Sequence, residues 1–341
     1  MTISAAKASQ ASSQPVHALE RWRPLYEKEL GQVNQEIRQL TQSDALLIPQ
    51  LSEHLIASGG KRLRPVLTIL SAKLCGYTGG NRHIRLAAAI EFIHSATLLH
   101  DDVVDESELR RGEKTANNLW GNAASVLVGD FLLSRAFQLM SRDGSLRVMK
   151  LLSDSSAIIS EGEVWQLMAT ADLATTKETY LKIIAAKTAQ LFAAATAVGP
   201  LITERPEEEV AALDHFGRAL GIAFQIVDDT LDYSARQEEI GKTIGDDFRE
   251  GKVTLPVLFA YAKADAGEKE FWERVIVRRE QKAGDLEQAV SLMQKHRVLA
   301  EVMEEARRYA EKAQEHLAPF PPSEEKQALL DLADFAVSRP F

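Results

Sequence analysis

Cysteine is nearly missing from this chain. Cys75 is the only one in 341 residues, which excludes an internal disulfide framework and a cysteine-rich metal site. That scarcity is compatible with a reducing compartment. Aromatics make up 6% of the residues, whereas Ala and Leu are abundant, a balance that leans toward helix. There is no excess of positive charge either. A net charge of -9 argues against a general nucleic-acid binder. No uninterrupted apolar run approaches the roughly 20 residues that a membrane-spanning helix needs. The first residues carry one lysine, no apolar core of a signal peptide and no arginine before Arg21, so neither a secretory nor a mitochondrial address is written there. Residues 1–18 are expected to form a flexible tail, and the protein to be soluble and cytoplasmic.

Strand signals are almost absent as well, with no alternating Val/Ile/Thr runs between turn residues. Helical periodicity instead recurs from end to end. Helices are expected near 19–41, 43–57, 64–76, 81–105, 121–141, 144–170, 176–198, 206–233, 253–264, 283–293, 296–316 and 323–337. Gly, Pro, Asn or charged clusters separate them, as at Tyr77-Thr78-Gly79-Gly80 and Phe320-Pro321-Pro322. Two stretches, Leu181 to Pro200 and Leu213 to Val227, are apolar nearly all round and should lie buried among other helices. No linker or repeat marks a boundary, so 19–341 reads as one all-α domain with central helices inside an amphipathic shell.

Chemistry concentrates in two acidic clusters. The apolar run up to His100 leads into Asp101-Asp102-Val103-Val104-Asp105. At about 100° per residue, His94, Asp101 and Asp105 share a face and Asp102 flanks it. The second cluster, Asp228-Asp229-Thr230-Leu231-Asp232, repeats the pattern after Phe224-Gln225, and Gln225, Asp228, Asp229 and Asp232 form one stripe. Carboxylates spaced i, i+4 repel unless a cation neutralises them. An all-carboxylate donor set suits a hard divalent ion, magnesium first and manganese second.

Basic residues supply the phosphate side. Gly59-Gly60-Lys61-Arg62-Leu63-Arg64-Pro65 sets three cations after a double glycine, and Arg110-Arg111-Gly112 follows the first acidic helix. Lys187-Thr188 interrupts an Ala-rich apolar helix, where a lysine is expensive to bury without an anion. Gly241-Lys242-Thr243 and Lys252 follow the second cluster. Taken singly, Lys61 or Lys252 reads equally well as a phosphate contact or as a structural residue, in a surface ion pair or snorkelling from a core helix. Gly241-Lys242-Thr243 is not a P-loop: Arg236 stands where the motif needs its first glycine.

In this order the motifs resemble the trans-isoprenyl diphosphate synthases, from about residue 19 to the C-terminus. The stretch from Thr97 through Met140 is most similar to long-chain members that make ubiquinone side-chain precursors. The resemblance implies a helical bundle of isoprenoid-synthase type around a large apolar cavity, and a head-to-tail condensation of isopentenyl diphosphate onto an allylic diphosphate, farnesyl or geranylgeranyl. It implies that Gly60, Lys61, Arg64, His94 and Arg111 hold isopentenyl diphosphate. Asp101, Asp105 and Asp228 would ligate magnesium, with Asp102, Asp229 and Asp232 as further ligands or supports. Arg110, Lys187, Thr188, Gln225, Lys242 and Lys252 would face the allylic diphosphate. A homodimer, and a transient membrane contact as product leaves, are further expectations. Lys114 departs from the proline common in relatives, a matter of loop stiffness.

Thr97 lies one helical turn, roughly 6 Å, before Asp101, with Ala96 beside it. Relatives making short products tend to carry bulky aromatics there, so small residues point to an open tunnel and a long product. The tunnel floor is expected on helices 131–141 and 151–168. A class I terpene cyclase would normally lack the second aspartate cluster and the Lys61–Arg64 site. A non-catalytic partner subunit would have lost aspartates, and a head-to-head synthase is the third alternative.

Overall fold

A computed structural model describes residues 16–57, 60–110, 112–234 and 245–338. It opens with α1 (Val16–Leu40), α2 (Leu47–Ala57), α3 (Leu63–Leu74) and α4 (Arg82–Val104). A hairpin of two-residue strands, β1 (Leu109–Arg110) and β2 (Glu113–Lys114), leads to α5 (Ala116–Trp120), α6 (Asn122–Asp143) and α7 (Leu146–Ala169). Next come α8 (Lys177–Ile184), a π-helical turn (Ala185–Ala189), α9 (Gln190–Ile202) and α10 (Glu207–Leu231). The chain closes with α11 (Asp246–Glu250), α12 (Leu255–Lys263), α13 (Ala266–Trp272) running into a second π-turn (Glu273–Val277), α14 (Asp285–Lys295), α15 (Val298–Glu315) and α16 (Glu324–Val337).

Each expected helical segment contains a helix, and local chemistry explains many of the ends. Side chains of Ser145, Thr176 and Ser323 accept the first backbone N–H groups of α7, α8 and α16, and Asp265 with Glu268 forms a reciprocal capping box on α13. Gly144, at φ 78°, ends α6 in a left-handed turn. Three expectations need correction. The expected tail overlaps α1, which already begins at Val16. The periodic pattern passed over α5, α11, α13 and the small hairpin, all too short to repeat a period. The expected helix 176–198 is interrupted at its centre by the π-turn, a local insertion that periodicity does not reveal.

Helix α10 joins two apolar clusters. Its first half, through Leu213, Phe216 and Leu220, packs in the cluster built from α1, α3, α4, α6 and α9. Its second half, through Ile222, Ile226, Val227 and Leu231, packs with α8, α12, α14 and α15. Every residue of α9 is buried. Thr196, inside that helix, gives its hydroxyl hydrogen to backbone carbonyls, including Leu213 on α10 at 2.6 Å, so the buried group is satisfied.

Two glycines set how close the site-bearing helices come. A Cβ on Gly221 of α10 would lie 2.5 Å from the Ala189 Cα, and one on Gly162 of α7 would lie 2.7 Å from the Lys187 nitrogen. Bare glycine surfaces therefore let α10 and α7 press on the π-turn from two sides. Among the described residues, three helical stretches, Asn122–Asp143, Lys177–Ile202 and Glu207–Leu231, are long and apolar enough by length and composition to cross a membrane. Single charged residues had hidden them from a search for unbroken apolar runs. The second and third are 78% and 61% buried among other helices, the first only 39%.

Candidate active site

The first cluster sits on the last turn of α4. Asp102 is buried and accepts Arg110 Nη2 at 2.7 Å and Nε at 3.0 Å. The hairpin folds Arg110 back to make that two-pronged bond. Asn117 ties the turn down, donating to the Asp102 carbonyl at 3.0 Å, and Ser125 does the same at the Leu99 carbonyl. Arg110, expected to face the allylic diphosphate, is paired here with Asp102, since a carboxylate buried this deeply needs a cation.

The second cluster sits on the last turn of α10. Asp229 is also buried, and it accepts the Tyr180 hydroxyl and the Gln225 amide, each at 2.6 Å. Thr188 in turn donates to Gln225 at 2.8 Å. Asp232 accepts the backbone N–H groups of Asp246 and Asp247 at 3.3 and 2.9 Å, and so caps α11. Asp102, Asp229 and Asp232 thus hold the scaffold together through protein donors.

Asp101 and Asp105 have lysines for neighbours. Lys187 Nζ lies 2.7 Å from Glu163 and 4.0 Å from Asp101. The π-turn is what carries Lys187 and Thr188, so the extra residue in that turn aims both at the gap between α4 and α10. Lys252 Nζ lies 2.9 Å from Asp105 and 2.5 Å from Glu250. Burial opposes its charge, yet Asp247, Asp105 and Glu250 outweigh that and raise its pKa. Lys252 therefore stands between the two clusters, touching the first directly and feeling the second through Asp247.

Crowding shows in the carboxyl groups themselves. Burial, then Glu163 and Asp105, push Asp101 up to about 7 against the pull of Lys187 and Arg110. Burial and Asp247 push Asp229 up to about 8, although Tyr180 and Gln225 lower it. Asp232 rises to about 8 for the same two leading reasons. Negative charge here exceeds what the lysines neutralise.

These donors fit a hard divalent cation. Among the described residues no three acidic or histidine groups converge tightly enough to enclose an ion unaided. An ion held by Asp101, Asp105 and Asp228 would then take its remaining ligands from water and phosphate oxygens, which is how magnesium is usually bound.

The other basic set lies around the start of α3. Gly60 and Lys61 are exposed, and Lys61 Nζ sits 4.5 Å over the Phe335 ring. The Arg64 guanidinium sits 4.5 Å over Phe192. Its Nε is buried with no hydrogen-bond partner, and burial lowers its pKa to about 10 although Glu91 raises it. A guanidinium whose buried Nε has no partner invites an anion. His94 is half-buried on α4. Arg111 and Lys242, both expected at the site, lie outside the described residues, as does Gly59.

Thr97 and Ala96 occupy the turn before Asp101. Ala96 is 2% exposed, within the core, whereas Thr97 is half-buried with its hydroxyl donating to the His94 carbonyl at 2.9 Å. The sequence reading did not single out Glu163, Tyr180 or Glu91. Lys187 in an apolar helix did signal that some carboxylate must approach it; which one depends on how α7 packs. Nothing local marks Tyr180.

The sequence model of the polyprenyl synthetase family matches residues 46–293. The octaprenyl diphosphate synthase of Escherichia coli K12 is 44% identical over 323 residues, covering 94% of this chain and 99% of its own length. A decaprenyl diphosphate synthase structure from Rhodobacter capsulatus has a TM-score of 0.88 at 52% identity, covering 93% of this chain and 98% of that one. A polyprenyl synthase from Caulobacter crescentus CB15, solved with calcium and isoprenyl diphosphate, has a TM-score of 0.91 at 48% identity, covering 97% and 99%.

A pH dependence follows from the raised carboxyls. Their folded pKa values lie above the ordinary 3.8, so the folded state keeps protons that the unfolded state has lost. This contribution is full below about 3.8 and disappears as pH rises through about 7 to 8. Metal-free protein should therefore show a lower thermal midpoint at pH 8.5 than at pH 6, and magnesium should recover more of it at pH 8.5. Differential scanning calorimetry at both pH values checks this; an equal magnesium effect at both would contradict it.

Proposed function

The chain belongs to the polyprenyl synthetase family and is a prenyl transferase of the long-chain polyprenyl diphosphate type; we propose that it extends farnesyl or geranylgeranyl diphosphate with isopentenyl diphosphate in a magnesium-dependent reaction, for a quinone side chain. The observation that carries this reading is the division of labour among the aspartates. Asp102, Asp229 and Asp232 are held by Arg110, by Tyr180 with Gln225, and by the start of α11. Asp101 and Asp105 remain turned to Lys187 and Lys252.

In the proposed reaction the allylic carbon–oxygen bond breaks and its electron pair leaves with the diphosphate. A divalent cation bound at Asp101, Asp105 and Asp228 would neutralise charge on that leaving group. Lys187 and Lys252 add fixed positive charge at the same place, which is worth most in a site closed to water. The isopentenyl double bond then attacks the allylic carbon, forming the new carbon–carbon bond, and a proton leaves from the isopentenyl C2 to the released diphosphate. Lys61, Arg64 and His94 hold isopentenyl diphosphate in range, making the encounter effectively intramolecular. Buried faces of α4, α9 and α10 keep water from the cation.

A second copy of the chain is the proposed partner. The outer face of α6 exposes Val126, Leu127 and Phe137 among Asp130, Ser134 and Gln138, large apolar side chains of the kind that subunit contacts cover.

Two experiments test these readings. With magnesium, farnesyl diphosphate and labelled isopentenyl diphosphate, the purified protein should release octaprenyl to decaprenyl alcohols after dephosphorylation. Asp101→Ala or Asp228→Ala should lose activity by about three orders of magnitude with the fold intact, and Thr97→Phe should shorten the product. A geranylgeranyl-length or cyclised product from the unaltered protein would overturn the long-chain reading. Leu127→Asp should halve the mass seen by sedimentation; an unaltered protein that sediments as a monomer would remove the dimer.

A further inference from the structure

The Lys61-Arg62-Leu63-Arg64 segment carries three cations, and they do not all face one way. Lys61 and Arg64 rest over Phe335 and Phe192. Arg62 turns back instead and makes an ion pair with Glu91 of α4, the two side chains being 14% and 8% exposed. Its backbone sits at φ 45° and ψ 40°, a left-handed conformation that costs a residue with a Cβ. Such a turn persists only where something holds it. The Arg62 carbonyl accepts the Val66 N–H at 3.0 Å as α3 begins, so the residue is pinned at both ends, by α3 and by Glu91. A small cavity of about 10 Å³ lies beside the pair, against Phe92, Ser95 and Leu132. The ion pair is the polar tie on that side of the turn.

Glu91 is itself a costly residue. It is 6% exposed, between Ile90 and Phe92, which are 0% and 1% exposed. A carboxylate in that setting is kept only when a cation is fixed against it. Glu91 lies one helical turn before His94 and about 15 Å along α4 from Asp101. The helix that carries the first aspartate cluster thus also carries the anchor for the turn that presents Lys61 and Arg64.

We propose that Arg62 and Glu91 are positioning residues for isopentenyl diphosphate, locking the 60–64 turn onto α4 so that Lys61 and Arg64 stand beside His94 at a fixed distance from the aspartates. This rests on the reading of Lys61, Arg64 and His94 as the isopentenyl diphosphate site. The pair touches neither substrate. Its loss misplaces one substrate and leaves the other alone.

Steady-state kinetics on the full chain, with each substrate varied in turn, tests the proposal. Glu91→Gln should raise the KM for isopentenyl diphosphate about tenfold or more, with the KM for farnesyl diphosphate and the magnesium dependence unchanged within about twofold. Glu91→Asp should recover part of the loss. Should the single variant fail to fold, Arg62→Met combined with Glu91→Leu removes both charges together, a change that buried pairs often tolerate. That double variant should fold and show the same selective rise. Equal rises in both KM values, or a double variant with unaltered KM for isopentenyl diphosphate, would overturn the positioning role. Arg64→Ala separates the two layers. If it leaves that KM unchanged, the binding reading itself falls; if it raises that KM while the folded Glu91 variants do not, only the Arg62–Glu91 inference falls.

Discussion

Buried carboxylates repel one another, and here Asp101, Asp105, Asp228, Asp229, Asp232 and Asp247 share one electrostatic neighbourhood with Lys252 and Lys187. The rest of the site is arranged around that repulsion. Arg110 returns on a hairpin to neutralise Asp102. Tyr180 and Gln225 hold Asp229, and the start of α11 is capped by Asp232. Gly162 and Gly221 let α7 and α10 approach the π-turn that bears Lys187. Remove the close approach and the lysine no longer reaches between the clusters.

The same repulsion separates support from chemistry. Groups engaged by hydrogen bonds from the protein are costly to redirect, since a buried acceptor that loses its donor costs about 1–3 kcal/mol. Lysine ammonium groups are different. Each carries three donors on a four-carbon stem and can reorient them toward an anion that enters. Asp101 and Asp105 face such groups, so the gap between α4 and α10 is the part of the site able to rearrange around a cation and a diphosphate.

How much of this was legible in the sequence depends on range along the chain. The aspartate clusters were, because the spacing within Asp101–Asp105 and Asp228–Asp232 fixes a shared helical face before any packing is known. Central burial of Gln190–Ile202 was legible too, since a helix with hardly any polar face has nowhere else to go. Partners chosen across the fold were not. Lys187 advertised a missing anion without naming Glu163, which lies twenty-four positions away on α7. Arg62 was legible only as one of three cations after the double glycine; its ion pair with Glu91 was not, because the left-handed turn at its backbone is a local conformation that the sequence does not mark. The π-turn left no trace in the periodic pattern, being a single extra residue in an otherwise apolar helix.

Facing carboxylate clusters that need a cation before they accept a diphosphate are the centre of the account. The most direct measurement is calorimetric binding of farnesyl thiodiphosphate, an allylic analogue that resists ionisation, with and without magnesium. Magnesium should tighten binding by about a hundredfold, and Asp105→Asn or Asp228→Asn should abolish that gain while leaving the magnesium-free affinity unchanged or improved. Equal affinity with and without magnesium in the unaltered protein would contradict it.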